Sequence, residues 1–207
     1  MTTPTPLIHV VDDDESLRTA LLRLLDAAGF NARGYASVGD FLLQPPPPDG
    51  PGCVLLDVRM PGPSGLDLQA ALLRQGNALP VVFLTGYADV VASVQAMKAG
   101  AVDFLTKPVE RQDLFEALRR ALARDATERT ARAQAEQLRA AFAALTPREQ
   151  AVFDRIVDGQ LNKQIADALG IAERTVKMQR AQLMTKLGVS SAAELGRLAE
   201  RLQHLSD

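Results

Sequence analysis

The feature that most constrains this chain is a set of short apolar runs that stop at a polar residue. LIHVV (7–11) runs into Asp12-Asp13-Asp14, CVLLD (53–57) ends on Asp57, and VVFLT (81–85) ends on Thr85. NARGY (31–35) and VDFL (102–105) are two further short runs. Near-continuous apolar runs of this length read as strands buried on both faces of a parallel sheet. Helical periods lie between them. In residues 16–28, Leu17, Leu21, Leu24, Leu25 and Ala28 recur at spacings of three and four, and residues 65–74, 89–99 and 110–122 behave alike. Strand and helix alternating five times predict a doubly wound α/β domain on a five-stranded parallel sheet.

The polar ends of those runs carry the chemistry. In an open parallel sheet the carboxyl ends of the strands form the ligand crevice. Asp12, Asp13, Asp14 and Asp57 therefore converge there, and clustered carboxylates repel unless a hard cation sits among them. An all-oxygen, open donor set suits Mg²⁺ better than Zn²⁺ or Ca²⁺. Thr85 ends one strand and Lys107 follows another. Acids, a hydroxyl and an ammonium together suit a phosphoryl group, with a carboxylate as its acceptor.

The remainder of the chain reads differently. QPPPPDGPG (44–52) is a stiff loop, since four prolines cannot continue a helix. Residues 123–144 lack Gly and Pro and are rich in Ala, Arg, Glu and Gln, so the helix begun near Glu110 is expected to run on as a linker. Its thin seam of Ala121, Leu122, Ala126, Leu138 and Phe142 suits either a solvated spacer or a coiled-coil dimer contact. Residues 145–207 predict four short helices, 147–157, 162–169, 173–187 and 192–203. Thr146, Pro147 and Glu149 form a capping box with proline at the first helical position. A short helix from Asn162, a turn at Gly170 and a longer helix from Glu173 make a helix-turn-helix pattern. Val176, Leu183 and Leu187 point to the core. Arg174, Lys177, Met178, Ala181, Gln182 and Thr185 take the other side.

Charge follows the same division. Residues 1–122 hold 14 acidic and 10 basic side chains, a net of −4, and residues 123–207 hold 11 and 13, a net of +2. Residues 172–189 hold four basic and one acidic, a local +3 that fits a major groove. A composition of 47% apolar and 23% charged residues excludes wholesale disorder. No apolar run is long enough for a membrane span, and the N-terminus does not read as a secretory signal. Cys53 is alone, which fits a reducing cytoplasm, and reads as a small buried hydrophobe. His9 and His204 do not suggest a metal or catalytic pair.

VVDDDES, LLDVRMPGPSGLDL, VVFLTGYADV and KAGAVDFLTKPV resemble the receiver domain of two-component response regulators, over about residues 5–122. The resemblance implies a flavodoxin/CheY-like receiver and a sensor histidine kinase, or a small acyl phosphate, as phosphoryl donor. By it Asp57 is the phosphoacceptor. Asp12, Asp13, Asp57 and the Arg59 backbone carbonyl bind Mg²⁺ or Mn²⁺, and Thr85 and Lys107 bind the phosphoryl oxygens. The Lys107–Pro108 bond matches the family's cis peptide. Thr85 and Phe104 are the switch pair, although many relatives carry Tyr at the Phe104 position. Phosphorylation then favours a homodimer through the helix at 89–99, the strand at 102–105 and the helix from 110, with the linker as a second contact. Arg59 and Tyr87, each two residues beyond a site residue, are candidates for setting the acyl phosphate's lifetime.

LTPREQAVFDRIVDGQLNKQIADALGIAERTVKMQRAQLMTKLGV resembles the LuxR-type DNA-binding domain of the FixJ and NarL regulators, over about residues 143–203. It implies binding to double-stranded promoter DNA by a recognition helix at 173–187. Lys177, Met178 and Ala181 face bases, with Thr175, Arg180 and Lys163 nearer the phosphates. Gln179 stands where the family usually has His. The resemblance therefore divides the chain into a receiver (1–122), a helical linker (123–144) and a helix-turn-helix domain (145–207). It implies a cytoplasmic, phosphorylation-dependent transcriptional regulator that is no enzyme beyond its own phosphorylation and dephosphorylation. The alternatives are a phosphorelay intermediate or phosphate sink, and a regulator that binds DNA without phosphorylation.

Overall fold

The computed structural model describes residues 5–47, 50–77, 79–86 and 90–204. These divide into two compact units, Met1–Thr130 and Ala131–Asp207. The first unit contains β1 (Leu7–Val11), α1 (Glu15–Ala27), β2 (Asn31–Tyr35), α2 (Val38–Leu43), β3 (Gly52–Asp57), α3 (Gly65–Arg74), β4 (Val81–Thr85), α4 (Val90–Lys98) and β5 (Asp103–Thr106). It also holds the first part of α5 (Arg111–Ala143).

The five strands are parallel in the order β2-β1-β3-β4-β5. The order reverses between β1 and β3, which is the switch point where such sheets bind ligands. All residues of β3 and β4 are buried, whereas the edge strands β2 and β5 are only partly covered. The strand period of two sends alternate residues to opposite faces. Val11, Val54, Leu56 and Phe83 join a core with α2, α3 and α4, while Ile8, Val10, Leu55, Val82 and Leu84 join one with α1 and α5. Two glycines allow close backbone approach. A Cβ at Gly52 would lie 2.1 Å from the Leu7 carbonyl oxygen, and one at Gly65 would lie 2.2 Å from that of Asp57. The proline loop ends one residue earlier than its sequence suggests, because Gly52 already belongs to β3.

The α5 helix runs without interruption for 33 residues. Its expected seam is corrected at one place. Ala126 is exposed, and the buried residue of that turn is Asp125, whose Oδ2 accepts the Gly52 N–H at 3.0 Å. A carboxylate on the helix thus answers the donor at the start of β3. No apolar count reveals this, because the position is polar.

The second unit contains α6 (Pro147–Val157), α7 (Asn162–Leu169), α8 (Glu173–Leu187) and α9 (Ala192–His204). The capping box of Thr146 and Glu149 is formed, and Gly170 and Gly188 close α7 and α8 in the left-handed conformation. Val152, Phe153, Ile165, Val176, Leu183 and Leu195 form its core, against which Leu138 and Phe142 pack. Among the described residues no helix is long and apolar enough to cross a membrane.

Candidate functional sites

In the first unit, three of the predicted acids meet at the switch point. Asp12, Asp13 and Asp57 each bring one carboxylate oxygen within 4.8 Å of the others. Asp12 and Asp57 are buried and Asp13 is exposed. Asp14 does not join them. It caps α1, accepting the N–H groups of Ser16 and Leu17 at 2.9 and 3.0 Å, so one of the four acids expected in the crevice is structural.

Lys107 reaches across the crevice. Its Nζ donates to Asp12 Oδ2 at 2.8 Å and to Asp57 Oδ2 at 2.6 Å. Its backbone N–H donates to the Thr85 carbonyl at 2.6 Å, and the Lys107–Pro108 peptide is cis. Backbone groups hold the carboxylates as well. The Asp14 N–H donates to Asp12 Oδ1 at 2.9 Å, and the Arg59 N–H to Asp57 Oδ1 at 3.1 Å. Burial raises the Asp12 carboxyl above its usual value, and this outweighs the lowering by Lys107. Burial alone would depress the Lys107 ammonium, but its hydrogen bonds to Asp12 and Asp57 prevail and the net direction is up. The lysine is therefore firmly protonated between two acids, an arrangement that neutralises part of a crowded anionic site.

Thr85 is buried at the end of β4. Phe104, on β5, is half-buried, with its ring 6.0 Å from that of Phe83. Arg59 is exposed beside the crevice. Tyr87 lies outside the described residues. Sequence reasoning missed Arg18, whose Nη1 donates to the Asp12 carbonyl at 2.6 Å. Its place on α1, one turn after Asp14, was the available signal. Cys53 is fully buried and its thiol is pushed up to about 12 by burial and by Asp125, as an inert hydrophobe requires.

In the second unit, Lys177, Met178 and Ala181 are exposed on α8, Thr175 and Arg180 are half-buried, and Lys163 is exposed near the start of α7. Several cations already hold partners. Arg180 donates to Asn162 Oδ1 at 3.1 Å, and Lys177 lies 3.1 Å from Glu173. Lys186 is bound to the buried Glu149 at 2.7 Å. That carboxylate also accepts the Thr146 N–H and hydroxyl, and the Lys186 hydrogen bond with these contacts brings it down to about 2. This tie was not legible, since a capping glutamate gives no sign of a lysine in another helix.

Residues 8–119 match the family described as response regulator receiver domain, and residues 143–199 match bacterial regulatory proteins of the luxR family. The chain belongs to the response regulators. Nodulation protein W of Bradyrhizobium diazoefficiens is 42% identical over 95% of this chain and 86% of its own. Transcriptional regulatory protein FixJ of Azorhizobium caulinodans is 40% identical over 93% and 90%. Among solved structures, the response regulator StyR is 45% identical, covering 95% of this chain and 99% of its own with a TM-score of 0.88. Full-length FixJ from B. japonicum is 38% identical, covering 98% and 99% with a TM-score of 0.58. Receiver and LuxR-type domains in one chain make this response regulator a phosphorylation-dependent transcriptional regulator rather than a member of an enzyme family. They imply a histidine kinase and DNA as its partners.

Proposed function

We propose that this response regulator takes its phosphoryl group on Asp57, dimerises, and binds paired half-sites in promoter DNA in the cytoplasm. The receiver spans 1–122, the linker 123–144 and the DNA-binding domain 145–207. The observation that carries the reading is the Lys107 ammonium shared between Asp12 and Asp57 at 2.8 and 2.6 Å. An Asp57 oxygen attacks the phosphorus of a phosphohistidine or a small acyl phosphate. The bond from phosphorus to the donor breaks, and the imidazole or carboxylate leaves with its electron pair. The receiver is an enzyme only toward its own phosphorylation and dephosphorylation.

The oxygen donors fit a hard divalent cation. Asp12, Asp13, Asp57 and the Arg59 carbonyl would hold Mg²⁺ or Mn²⁺, whose chemistry when bound is to neutralise phosphoryl oxygens. Lys107, held at the acceptor carboxylate, exchanges Asp57 for a phosphoryl oxygen once the acyl phosphate forms. Thr85 donates its hydroxyl to another, and Phe104 turns inward behind it. On α4, Val91, Val94 and Met97 are 67%, 46% and 46% exposed, an apolar stripe that supports dimerisation through α4, β5 and the start of α5. On α8, Lys177, Met178 and Ala181 meet bases. Thr175, Arg180 and Lys163 meet phosphates.

The test is a gel shift on promoter fragments with and without acetyl phosphate, repeated on Asp57→Ala. Retardation that acetyl phosphate strengthens, and that Asp57→Ala no longer strengthens, is expected. Binding indifferent to Asp57 would favour a phosphorylation-independent regulator, and no binding in any state would leave a phosphorelay intermediate or phosphate sink.

A further inference from the structure

A groove of about 880 Å³ lies within the second unit, between the first turn of α6 and the exposed side of α8. Thr146, Pro147 and Arg148 line one wall, and Met178, Ala181 and Gln182 line the other. Resting on the DNA-binding reading, we propose that this groove seats a phosphate of the DNA backbone, with Arg148 as its cation and the Gln179 carboxamide as a neutral donor.

Three observations converge. First, Met178 and Ala181 are the residues assigned to bases, so the groove opens on the face that meets DNA, and α6 borders it with its positive end. Second, Arg148 is exposed and, among the described residues, holds no acidic partner, unlike Lys177 and Lys186. The acid in the groove, Glu149, does not repel an anion as a bare carboxylate would. Its Oε2 takes the Lys186 ammonium and the Thr146 N–H at 2.7 Å and the Thr146 hydroxyl at 2.9 Å. Third, Gln179 lines the groove, is 7% exposed, and has an Oε1 that finds no hydrogen-bond partner. A buried amide oxygen left unanswered is costly, and nothing pins the amide's orientation. That oxygen is enclosed, so the Nε2 donor is the end of the carboxamide that this groove-lining side chain has left to offer. A phosphate oxygen accepts that donor, and the guanidinium supplies the charge.

The experiment is a salt titration of the full chain on a fluorescent duplex enriched from a random-sequence pool by the wild-type protein, with acetyl phosphate and Mg²⁺ present. Arg148→Ala is expected to weaken binding about tenfold and to flatten the slope of log affinity against log salt by about 0.9. Arg148→Lys should retain the slope, because it retains the charge. Gln179→Leu should weaken binding about threefold with an unchanged slope, because a neutral donor releases no counterion. Its urea midpoint should hold or rise, which separates a lost contact from a lost fold. An Arg148→Ala slope equal to that of the wild type overturns the inference and leaves the DNA reading intact. A wild type that enriches no duplex overturns both.

Discussion

In the first unit, folding gathers charges that the sequence keeps apart. Lys107 comes to Asp57 from 50 residues away and to Asp12 from 95. In the second unit, basic residues that are neighbours in sequence are distributed to separate partners: Lys177 to Glu173, Arg180 to Asn162, Lys186 to Glu149. A charge count therefore overstates the free charge in both. The acid count of the crevice is too high, because Asp14 is a helix cap, and the +3 of residues 172–189 overstates what faces outward, because Lys186 is turned to an internal acid.

The largest test of this contrast is Asp57→Asn. Removing one carboxylate from a site that concentrates its chemistry should abolish phosphoryl incorporation from acetyl phosphate, read on a phosphate-affinity gel. The same substitution should leave basal DNA binding in place. Residual incorporation at a second aspartate would break the picture of a single acceptor.

Stability should divide between the units. Gly52→Ala places a Cβ 2.1 Å from the Leu7 carbonyl. The backbone must shift, at a cost of about 3 kcal/mol. Leu183→Ala empties a site that is 0% exposed, for a similar loss of about 3 kcal/mol. Hydrogen exchange read by segment should show weakened protection in β1 and β3 for the first variant, and in α6 and α8 for the second. Equal loss in both units from either change would show that their stabilities are not separate.

How far these sites were readable follows from the same contrast. Strand ends are legible because a buried parallel strand must be apolar and must stop where it meets the crevice. Hence Asp57 and Thr85 marked themselves. The four helices of the second unit were legible to within a residue or so, from the Thr146 capping box and from Gly170 and Gly188. Side-chain ties between distant segments were not. Asp125 to Gly52, Lys186 to Glu149 and Arg18 to the Asp12 carbonyl are single polar contacts with no periodicity to betray them. Gln179 departs from the family's usual His, and its burial leaves no trace in the sequence because a glutamine reads as a surface residue.

Acid should strike the units in order. Burial, aided by Arg33, lowers His9 from 6.5 to about 4, while its Nδ1 lies 2.9 Å from the Tyr35 hydroxyl. The unfolded chain therefore takes up a proton that the folded one refuses. His9 contributes its full stability above pH 6.5, and this is lost progressively as pH falls towards 4. Glu149, depressed from 4.5 to about 2 by Lys186 and Thr146, contributes above pH 4.5 and loses its contribution as pH falls through 2. Urea midpoints should show the first unit weakening at a pH where the second is unchanged. His9→Phe should flatten the first decline and Glu149→Gln the second. Coincident declines in the wild type would refute the assignment.

The smallest effects belong to single cations on the face proposed to meet DNA, and they sharpen the comparison most. If pairing within the fold decides which charges meet phosphate, Lys163→Ala should flatten the salt dependence of DNA binding by about 0.9. Lys177→Ala, at a base-facing position, should instead weaken binding and relax sequence preference, since its exposed pair with Glu173 is of the kind worth about 0–1 kcal/mol and yields easily to a base. Lys186→Ala should leave the slope unchanged while lowering the thermal midpoint of the second unit, because its ammonium answers a buried carboxylate. Arg180 decides between the two behaviours. Its Nη1 bond to Asn162 ties α8 to the start of α7, but a guanidinium has five N–H donors, so one bond leaves others available for a phosphate. A slope change from Arg180→Ala together with a lowered midpoint would mean that one side chain does both jobs. A lowered midpoint with the wild-type slope would place Arg180 with Lys186, as a residue that positions the recognition helix without touching DNA.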